Sequence, residues 1–301
     1  MYGAALLAAL AAPVVWQLLK PTPSVKGKRV VIVGASSGIG RSLALEYAGR
    51  GAHLVLCARR QERLLQVASE CTALSGHPAE PVVGDITERA TQLALVDAVR
   101  SKWSGIDYLV LNAGVISVLP LSDLWLKTGS LPDAQRVGEI QHMFERTMAV
   151  NATAPALVAG LFLPMLAQSK ASVVVVASVA SLVAAPTRSM YSAAKHAVEG
   201  YFATFRMETK KLGVAVTMVY PGTVDTELRL SAVDIGHAGG QKVAGSARGK
   251  MSPENCAKAI VRAAALRKRS LVTPWPYWLA VTVHTVAPGL IESLALRKYG
   301  L

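Results

Sequence analysis

The segment KRVVIVGASSGIGRSLALEYAGR, residues 28–50, decides the fold of this chain. Its β-branched start predicts a buried strand, its glycine-rich middle a tight turn, and its remainder a helix. Gly34 permits the turn, Gly38 lets the backbone approach a pyrophosphate, and Gly40 allows close helix packing, with the helix N-terminus facing the anion. The segment predicts a dinucleotide-binding unit, although a glycine-rich loop can also be a simple turn between two elements.

The rest of the chain predicts a larger parallel sheet. Candidate strands cover residues 29–33, 54–58, 81–84, 108–111, 172–177, 215–219 and 270–272. Most of these runs are apolar throughout, which is typical of a parallel sheet buried on both faces. With 301 residues, 52% of them hydrophobic, the chain can bury one large core. We expect one Rossmann-type, doubly wound α/β domain over residues 28–272, with about seven parallel strands and helices on both faces.

A second informative segment, VVVVASVASLVAAPTRSMYSAAK, occupies residues 173–195. Ser178 follows its strand, so the hydroxyl is expected at the carboxyl edge of the sheet, where open α/β sheets bind ligands. Tyr191 and Lys195 are one helical turn apart and share a face. An adjacent ammonium favours the phenolate of a tyrosine, whose reference pKa is about 10. These three residues predict an acid/base site, and the alternative is an ordinary amphipathic surface helix.

Several motifs occur in one order along the chain: GASSGIG at 34–40, NAG at 112–114, Asn151, Ser178, YSAAK at 191–195 and PGTVDT at 221–226. In this order the chain resembles the short-chain dehydrogenase/reductase family over roughly residues 28–271. Its apolar ends and the segment at 251–257 resemble 11β-hydroxysteroid dehydrogenase-like enzymes and related membrane-bound lipid reductases. The resemblance implies a hydrophobic carbonyl or alcohol substrate.

The resemblance also implies a mechanism. Tyr191 would protonate a carbonyl oxygen as hydride arrives from a nicotinamide, while Ser178 hydrogen-bonds that oxygen. Lys195 would bind the ribose and lower the pKa of Tyr191. Asn151 would hold a water that connects Lys195 to solvent, although a lone asparagine opening a helical stretch can be purely structural.

Two arginines end the second predicted strand. An NAD-preferring site would place an acidic side chain there, whereas Arg59 and Arg60 suit a ribose 2′-phosphate. We therefore expect NADP(H), with Ser36, Ser37 and Arg41 assisting; exposed arginines that open a helix are the alternative.

The resemblance implies a wider cofactor site, which comprises Gly34, Ser36, Ser37, Gly38, Ile39, Gly40, Asp85, Asn112, Ala113, Gly114, Tyr191, Lys195, Val224 and Thr226 in addition to the two arginines. Within it Asp85 would contact the adenine, residues 112–114 would border the adenosine ribose, and Val224 with Thr226 would reach the carboxamide. Asp85 could instead cap the helix that starts near Glu88.

The connection between Asn112 and Asn151 is long for the family, so an insertion is expected near residues 121–137, as a lid, a partner surface or a tolerated loop.

Both ends of the chain are apolar. Residues 2–19 carry no charge, and Trp16 and Lys20 lie where a membrane interface would fall, so residues 1–20 are expected to anchor the protein; a signal peptide and a buried helix are the alternatives. Basic residues follow this run, which favours a cytosolic catalytic domain on an endoplasmic reticulum membrane. Residues 273–301 include Trp275, Tyr277 and Trp278 and are expected to be membrane-associated, buried or dimer-forming.

The net charge of +13 suits an anionic membrane surface and a phosphorylated cofactor. No cluster of basic and aromatic residues specifies nucleic acid, and Cys57, Cys71 and Cys256 are scattered without the spacing of a metal site. The expected partners are a hydrophobic small molecule, a membrane and a second copy of the chain.

The leading hypothesis is an NADPH-dependent oxidoreductase that interconverts a ketone and a secondary alcohol on a steroid or lipid-like substrate, in the reductive direction. The alternatives are an NAD-dependent oxidative dehydrogenase and a non-catalytic, membrane-bound NADP(H)-sensing interaction protein.

Overall fold

The computed structural model describes residues 21–126, 133–234 and 250–300. Within them lies a parallel sheet with the strand order β3-β2-β1-β4-β5-β6-β7. Its strands are β1 (Arg29–Val33), β2 (His53–Ala58), β3 (Glu80–Val83), β4 (Tyr108–Leu111), β5 (Ser172–Val176), β6 (Ala215–Pro221) and β7 (Ser270–Thr273). All seven predicted strands and the predicted fold class are confirmed.

Helices follow most of the strands. They are α1 (Gly38–Gly49), α2 (Gln61–Ser75), α3 (Arg89–Arg100), α4 (Leu121–Trp125), α5 (Ala134–Met148), α6 (Ala154–Gln168), α7 (Ser189–Glu208), α8 (Pro253–Ala265), α9 (Trp275–Val286) and α10 (Pro288–Tyr299). A π-helical turn, Ala149–Thr153, joins α5 to α6. Because π turns occur often at functional sites, its position directs attention to Asn151.

The sheet is buried on both faces. One core contains the large side chains of Phe162 on α6 and Phe202 on α7, and the other contains Tyr47 on α1 and Ile260 on α8. Each such side chain contributes roughly 2 kcal/mol to folding through removal of its apolar surface from water. The continuous apolar strands of the sequence are therefore explained by helices on both faces.

The strand order reverses direction between β1 and β4. In a doubly wound sheet this switch point opens a crevice at the carboxyl ends of the strands, because the connections on its two sides run to opposite faces. The predicted glycine turn and NAG motif follow β1 and β4 respectively, so the topology brings them to this crevice.

The insertion is partly visible. Residues 121–126 contain the short helix α4, residues 133–137 belong to the beginning of α5, and residues 127–132 lie outside the described residues. Leu124 is buried together with Ile140, Met143 and Met190, the last of which precedes Tyr191. This part of the insertion thus packs against the helix that carries the predicted tyrosine, and its role as a lid or partner surface stays a prediction.

One helix of the described residues is long and apolar enough to cross a membrane, Ala134–Gln168, with a mean hydropathy of 1.6 in its most apolar window. Phe162 and Leu166 of this helix are fully buried in the core, so we assign it to the core. The predicted anchor, residues 1–20, lies outside the described residues.

The C-terminal segment is a pair of helices, α9 and α10. Neither helix contains a fully buried residue, so the prediction of a buried helix is wrong. Trp275, Trp278 and Val286 are all exposed. The ring of Tyr277 packs onto Gly222 in the loop after β6.

Candidate active site

The glycine-rich turn lies at the carboxyl end of β1. Gly34 has a φ of +87°, which disfavours any side chain, and a Cβ there would lie 2.6 Å from the backbone nitrogen of Ala113. The side-chain amide of Asn112 donates to the Gly34 carbonyl oxygen at 2.9 Å. A Cβ on Gly38 would lie 3.0 Å from Cγ2 of Thr226. The turn, the NAG motif and the PGTVDT motif therefore meet in one place.

Arg60 connects the end of β2 to this turn. Its Nη2 atom donates to the Ser37 hydroxyl at 2.5 Å and to the Ser36 hydroxyl at 3.3 Å. Its Nη1 atom lies 3.6 Å from the carboxylate of Glu227. A guanidinium held beside two hydroxyls forms a binding position for an anionic oxygen group.

Asp85 is the centre of an ion-pair network at the far end of the crevice. Arg146 donates to its carboxylate at 2.5 Å, and Arg59 lies 3.7 Å away. Burial disfavours the charged carboxylate, but hydrogen bonds from Thr87 and Arg146 outweigh it and lower the pKa of Asp85 to about 2. The alternative that Asp85 caps the next helix is wrong, because the N-cap of α3 is Glu88.

Ser178, Tyr191 and Lys195 come together at the carboxyl end of β5. The Tyr191 hydroxyl is hydrogen-bonded to Ser178, and only 8% of the tyrosine is exposed. The Lys195 ammonium donates to the Val176 carbonyl oxygen at 3.0 Å and lies 5.7 Å from the centre of the Tyr191 ring. A strand end and one helical turn thus place a hydroxyl, a phenol and an ammonium side by side.

Asn151 lies in the π turn behind this group. Its side-chain amide accepts from the Val115 N–H at 3.1 Å and donates to the Val115 carbonyl oxygen at 2.8 Å. A Cβ on Gly114 would lie 2.9 Å from Asn151 Oδ1 and 4.0 Å from Lys195 Nζ. Asn151 therefore braces the loop after β4 beside Lys195. Its water-mediated link stays a prediction.

Comparison with known sequences agrees with this geometry. The family profile for short chain dehydrogenases matches residues 28–234. Hydroxysteroid 11-beta-dehydrogenase 1-like protein A of Xenopus laevis is 35% identical over 281 residues, which cover 92% of this chain and 88% of the relative. The chain belongs to the short-chain dehydrogenase/reductase family. It is accordingly an oxidoreductase that acts on CH–OH and C=O groups.

Solved structures share the fold of this short-chain dehydrogenase/reductase. A family member from Burkholderia phymatum in complex with NAD has a TM-score of 0.72 at 24% identity, covering 89% of this chain and 96% of its own. A short chain dehydrogenase from Burkholderia cenocepacia J2315 in complex with NADP has a TM-score of 0.70 at 20% identity, covering 91% and 99%. Both likenesses concern the fold, whose crevice in this chain is lined by the close-packed glycine turn and by Arg60.

The acid/base electrostatics of this short-chain dehydrogenase/reductase differ from the sequence-based expectation. Burial raises the pKa of Tyr191, against the lowering influence of the Ser178 hydrogen bond and of the Arg188 charge. Burial also lowers the pKa of Lys195 to about 8. The lowering influences on Tyr191 thus come from Ser178 and Arg188, while the Lys195 ammonium bonds Val176. Arg188 lies one helical turn before Tyr191, but no sequence motif marks it as part of the site.

Tyr277 of α9 is another residue that the sequence analysis did not assign to the site. A Cβ on Gly222 would overlap the Tyr277 ring, so the ring lies directly on the backbone of the PGTVDT loop. The Tyr277 hydroxyl accepts from the Thr223 N–H at 3.2 Å and lies 3.0 Å from the Thr223 hydroxyl. The C-terminal helices of this short-chain dehydrogenase/reductase therefore fix the loop that carries Val224 and Thr226.

A cavity of about 620 Å³ joins these groups in the enzyme. The predicted site residues that line it are Gly34, Ser36, Ser37, Gly38, Ile39, Arg59, Arg60, Asp85, Asn112, Ala113, Gly114, Asn151, Ser178, Tyr191, Lys195, Val224 and Thr226. Gly40 does not line the cavity; it is buried, and a Cβ there would overlap the Gly34 carbonyl oxygen. The cavity wall also includes residues of α9 and α10. No sequence motif predicts that these helices line the cavity.

Proposed function

We propose that this protein is an NADPH-dependent reductase that converts a hydrophobic ketone, steroid or lipid-like, into a secondary alcohol. The observation that carries the proposal is the position of the buried Tyr191 beside Ser178 in the wall of the cavity. A phenol and a hydroxyl at this position can both bind one carbonyl oxygen. The roles below are assigned on that basis.

A nicotinamide cofactor held in the crevice would supply the hydride for the carbonyl carbon. Ser178 donates a hydrogen bond to the carbonyl oxygen and orients it. Tyr191 transfers its proton to that oxygen, so that the ketone carbon and oxygen become a secondary alcohol. Lys195, held by Val176, binds the ribose and provides positive charge beside the tyrosine, and Asn151 connects it to solvent through a water.

The reductive direction requires a protonated Tyr191. Because burial raises this pKa, the phenol keeps its proton at neutral pH and is ready to act as an acid. An oxidative enzyme would instead need the phenolate as a base near neutrality. Arg188 moderates the effect, since its charge lowers the same pKa.

The choice of NADPH rests on two arginines. Arg59 and Arg60 follow β2, and Arg60 is held on the hydroxyls of the glycine turn. Both guanidinium groups suit the 2′-phosphate of the cofactor. Arg60 lies 3.6 Å from Glu227, so a phosphate would compete with that carboxylate for the arginine. Preference for NADH would overturn this part of the proposal and favour an NAD-dependent oxidative dehydrogenase.

The substrate class follows from the wall beyond Tyr191. Apolar side chains line it from α9, α10 and the loops after β4 and β5: Ile116, Val179, Val183, Ala280, Ile291 and Leu294. The Xenopus laevis relative carries the name of a hydroxysteroid dehydrogenase-like protein, which supports a steroid or another lipid-like ketone. An apolar wall of this kind favours a hydrophobic substrate over a small polar one.

Residues 28–272 are proposed as the NADP-binding catalytic domain, with residues 1–20 as a membrane anchor on the endoplasmic reticulum and the catalytic domain in the cytosol. Residues 273–301 are proposed to associate with the same membrane, which the exposed Trp275 and Trp278 support. Exposed apolar residues on α6 and α7, including Leu157, Leu161 and Tyr201, support a homodimer through these helices.

The test is NADPH oxidation by detergent-solubilised protein across a panel of steroid and long-chain lipid ketones. Turnover that Tyr191→Phe removes, with NADPH binding retained, is the expected result. Cofactor binding without turnover of any ketone would contradict the reductase proposal and favour the NADP(H)-sensing interaction protein.

A further inference from the structure

Tyr277, near the start of α9, lines the cavity but has no part in the proposed hydride transfer. Its ring lies on the backbone of Gly222, where a Cβ would overlap it. Its hydroxyl accepts a hydrogen bond from the Thr223 N–H at 3.2 Å and lies 3.0 Å from the Thr223 hydroxyl. Tyr277 therefore joins α9 to the loop after β6, residues 222–226, through both its ring and its hydroxyl.

Two consecutive backbone N–H groups of this loop are held by the junction between β7 and α9. The Gly222 N–H donates to the Thr273 carbonyl oxygen at 2.8 Å, and the Thr223 N–H donates to the Tyr277 hydroxyl. A backbone donor inside a protein needs a partner, and at Thr223 a side-chain hydroxyl takes the place of a backbone carbonyl. The position of the loop consequently depends on the identity of residue 277.

The backbone of Met251 holds the same loop. The Met251 N–H donates to the Thr223 carbonyl oxygen at 3.0 Å, and the Asp225 N–H donates to the Met251 carbonyl oxygen at 2.9 Å. These bonds form a parallel bridge between Val224 and Met251. Tyr277 and Met251 together thus fix both the N–H and the carbonyl oxygen of Thr223.

The loop lies between the candidate acid/base residues and the glycine turn. It follows the end of β6, which pairs with β5, and β5 ends two residues before Ser178. At its other end, Cγ2 of Thr226 would lie 3.0 Å from a Cβ on Gly38. A dinucleotide whose phosphates lie at the glycine turn and whose hydride donor lies at Tyr191 must pass beside this loop.

We infer that Tyr277 is a positioning residue for the nicotinamide half of the cofactor, because its hold on Thr223 orders residues 222–226 before the cofactor binds. A loop that is ordered in advance loses less entropy on binding, so the affinity increases without any contact between Tyr277 and the cofactor. This role rests on the proposed NADPH-dependent function and adds a residue of the C-terminal helices to its cofactor site.

The test compares the affinities of NADPH and of 2′-phospho-ADP-ribose, which lacks the nicotinamide ring, by calorimetry on the detergent-solubilised full-length protein. Tyr277→Phe keeps the ring on Gly222 and removes the hydroxyl. This variant is expected to bind NADPH about threefold to tenfold more weakly, the range for loss of a hydrogen bond. Its affinity for 2′-phospho-ADP-ribose should change less than about twofold, because that ligand does not reach the nicotinamide position.

Thr282→Val is the matched control, because it also removes a hydroxyl from α9. The Thr282 hydroxyl is exposed, donates to the Trp278 carbonyl oxygen at 3.0 Å and does not line the cavity. Both affinities of this control should equal those of the wild type. An equal loss of affinity for the two ligands in Tyr277→Phe would indicate a general structural effect, and unchanged affinities would show that the hydroxyl is not needed; either result overturns the positioning role.

Amide hydrogen exchange in the cofactor-free protein separates positioning from direct contact. Peptides that cover residues 222–226 should exchange faster in Tyr277→Phe than in the wild type, and at the wild-type rate in Thr282→Val. Weaker NADPH binding with unchanged exchange would mean that Tyr277 contacts the nicotinamide itself, which contradicts a positioning role.

Neither measurement requires turnover of a ketone, so the role of Tyr277 and the reductase proposal can fail separately. If the wild type prefers NADH, the same comparison is made with NADH and ADP-ribose. Binding that Tyr277→Phe weakens selectively, without reduction of any ketone, would support the role of Tyr277 and contradict the reductase. A wild-type protein that binds neither dinucleotide would overturn both.

Discussion

The guanidinium of Arg60 donates to the hydroxyl of Ser37 at 2.5 Å and joins the end of β2 to the glycine turn after β1. The same side chain reaches Ser36 and lies near Glu227. Its position is thus defined by groups on two sides of the crevice. An arginine held in this way has lost much of its side-chain freedom already, so less entropy is lost when it binds a phosphate.

Replacing Arg59 and Arg60 together with alanine should weaken NADPH binding by about tenfold or more and leave NADH binding nearly unchanged. The 2′-phosphate of NADPH would lose its charge-assisted hydrogen bonds, whereas the free 2′-hydroxyl of NADH forms no such bonds. Titration calorimetry with both cofactors measures the difference. Arg50→Ala is the control, because Arg50 pairs with Glu46 on α1 and does not line the cavity. Equal losses for both cofactors would contradict the assignment.

Tyr191→Phe should lower kcat for ketone reduction by about 10² to 10⁴, the range for loss of a general acid. The ring is retained, so the packing of Tyr191 and the affinity for NADPH should change little. Ser178→Ala should lower kcat by a smaller factor, since it removes a hydrogen-bond donor and not the proton source. Steady-state kinetics together with circular dichroism checks both variants. Appreciable turnover by Tyr191→Phe would mean that another group donates the proton.

The rate of ketone reduction should be constant around neutral pH and decrease only at alkaline pH. Burial raises the pKa of Tyr191, so the phenol stays protonated below that raised value, and the acid form is lost as pH rises through it. Alcohol oxidation needs the phenolate and should increase over the same alkaline range. Profiles of kcat/KM from about pH 6 to pH 10 in both directions test the sign. A reductive rate that increases with pH would contradict the role of Tyr191 as the acid.

Asp85→Asn should reduce the free energy of unfolding at pH 7 by about 1 kcal/mol, since the ion pair with Arg146 is partly screened by solvent. The pKa of Asp85 is lowered from 3.8 to about 2, so its stabilisation is present above about pH 4 and is lost as pH falls towards about 2. Urea unfolding at pH 7 and pH 3 should therefore give a smaller difference at pH 3. Asp97→Asn, an exposed change on α3, should show neither effect.

Gly222→Ala should destabilise the enzyme by about 1 to 3 kcal/mol, because the new methyl group would overlap the Tyr277 ring. Removing the ring with Tyr277→Ala should reduce the effect of the alanine in the double variant. Gly138→Ala is the control, since a Cβ there meets no other atom within 4 Å. Thermal unfolding of the three variants measures the coupling, and additive effects of Gly222 and Tyr277 would disprove the contact.

Much of this fold could be predicted because its strands are short apolar runs between glycine-rich and polar turns. All seven strands were predicted, and β1 and β4 have the predicted bounds. A strand buried on both faces leaves a continuous apolar run in the sequence. That Ser178, Tyr191 and Lys195 lie together could be predicted for a related reason. Ser178 follows the end of a strand, and Tyr191 and Lys195 are one turn apart on a helix, so local geometry predicts their positions.

Arg146, Arg188 and Tyr277 were not found because each acts on a residue that is distant in the chain or buried. Arg146 reaches Asp85, and Tyr277 reaches Gly222, across separate elements. Arg188 is close to Tyr191 in sequence, but only burial makes its charge important. The contacts of Arg146 with Asp85 and of Tyr277 with Gly222 leave no periodic pattern in the sequence. Such contacts depend on how helices and loops pack over the sheet.

The sequence by itself determined the parallel sheet, the nucleotide turn and the group of serine, tyrosine and lysine, because hydrophobic periodicity and glycine spacing act over a few residues. The tertiary structure alone decided that Asp85 pairs with Arg146 and that Tyr277 holds the loop after β6. Long-range packing and desolvation set these relationships, and they depend on which distant segments the fold brings together.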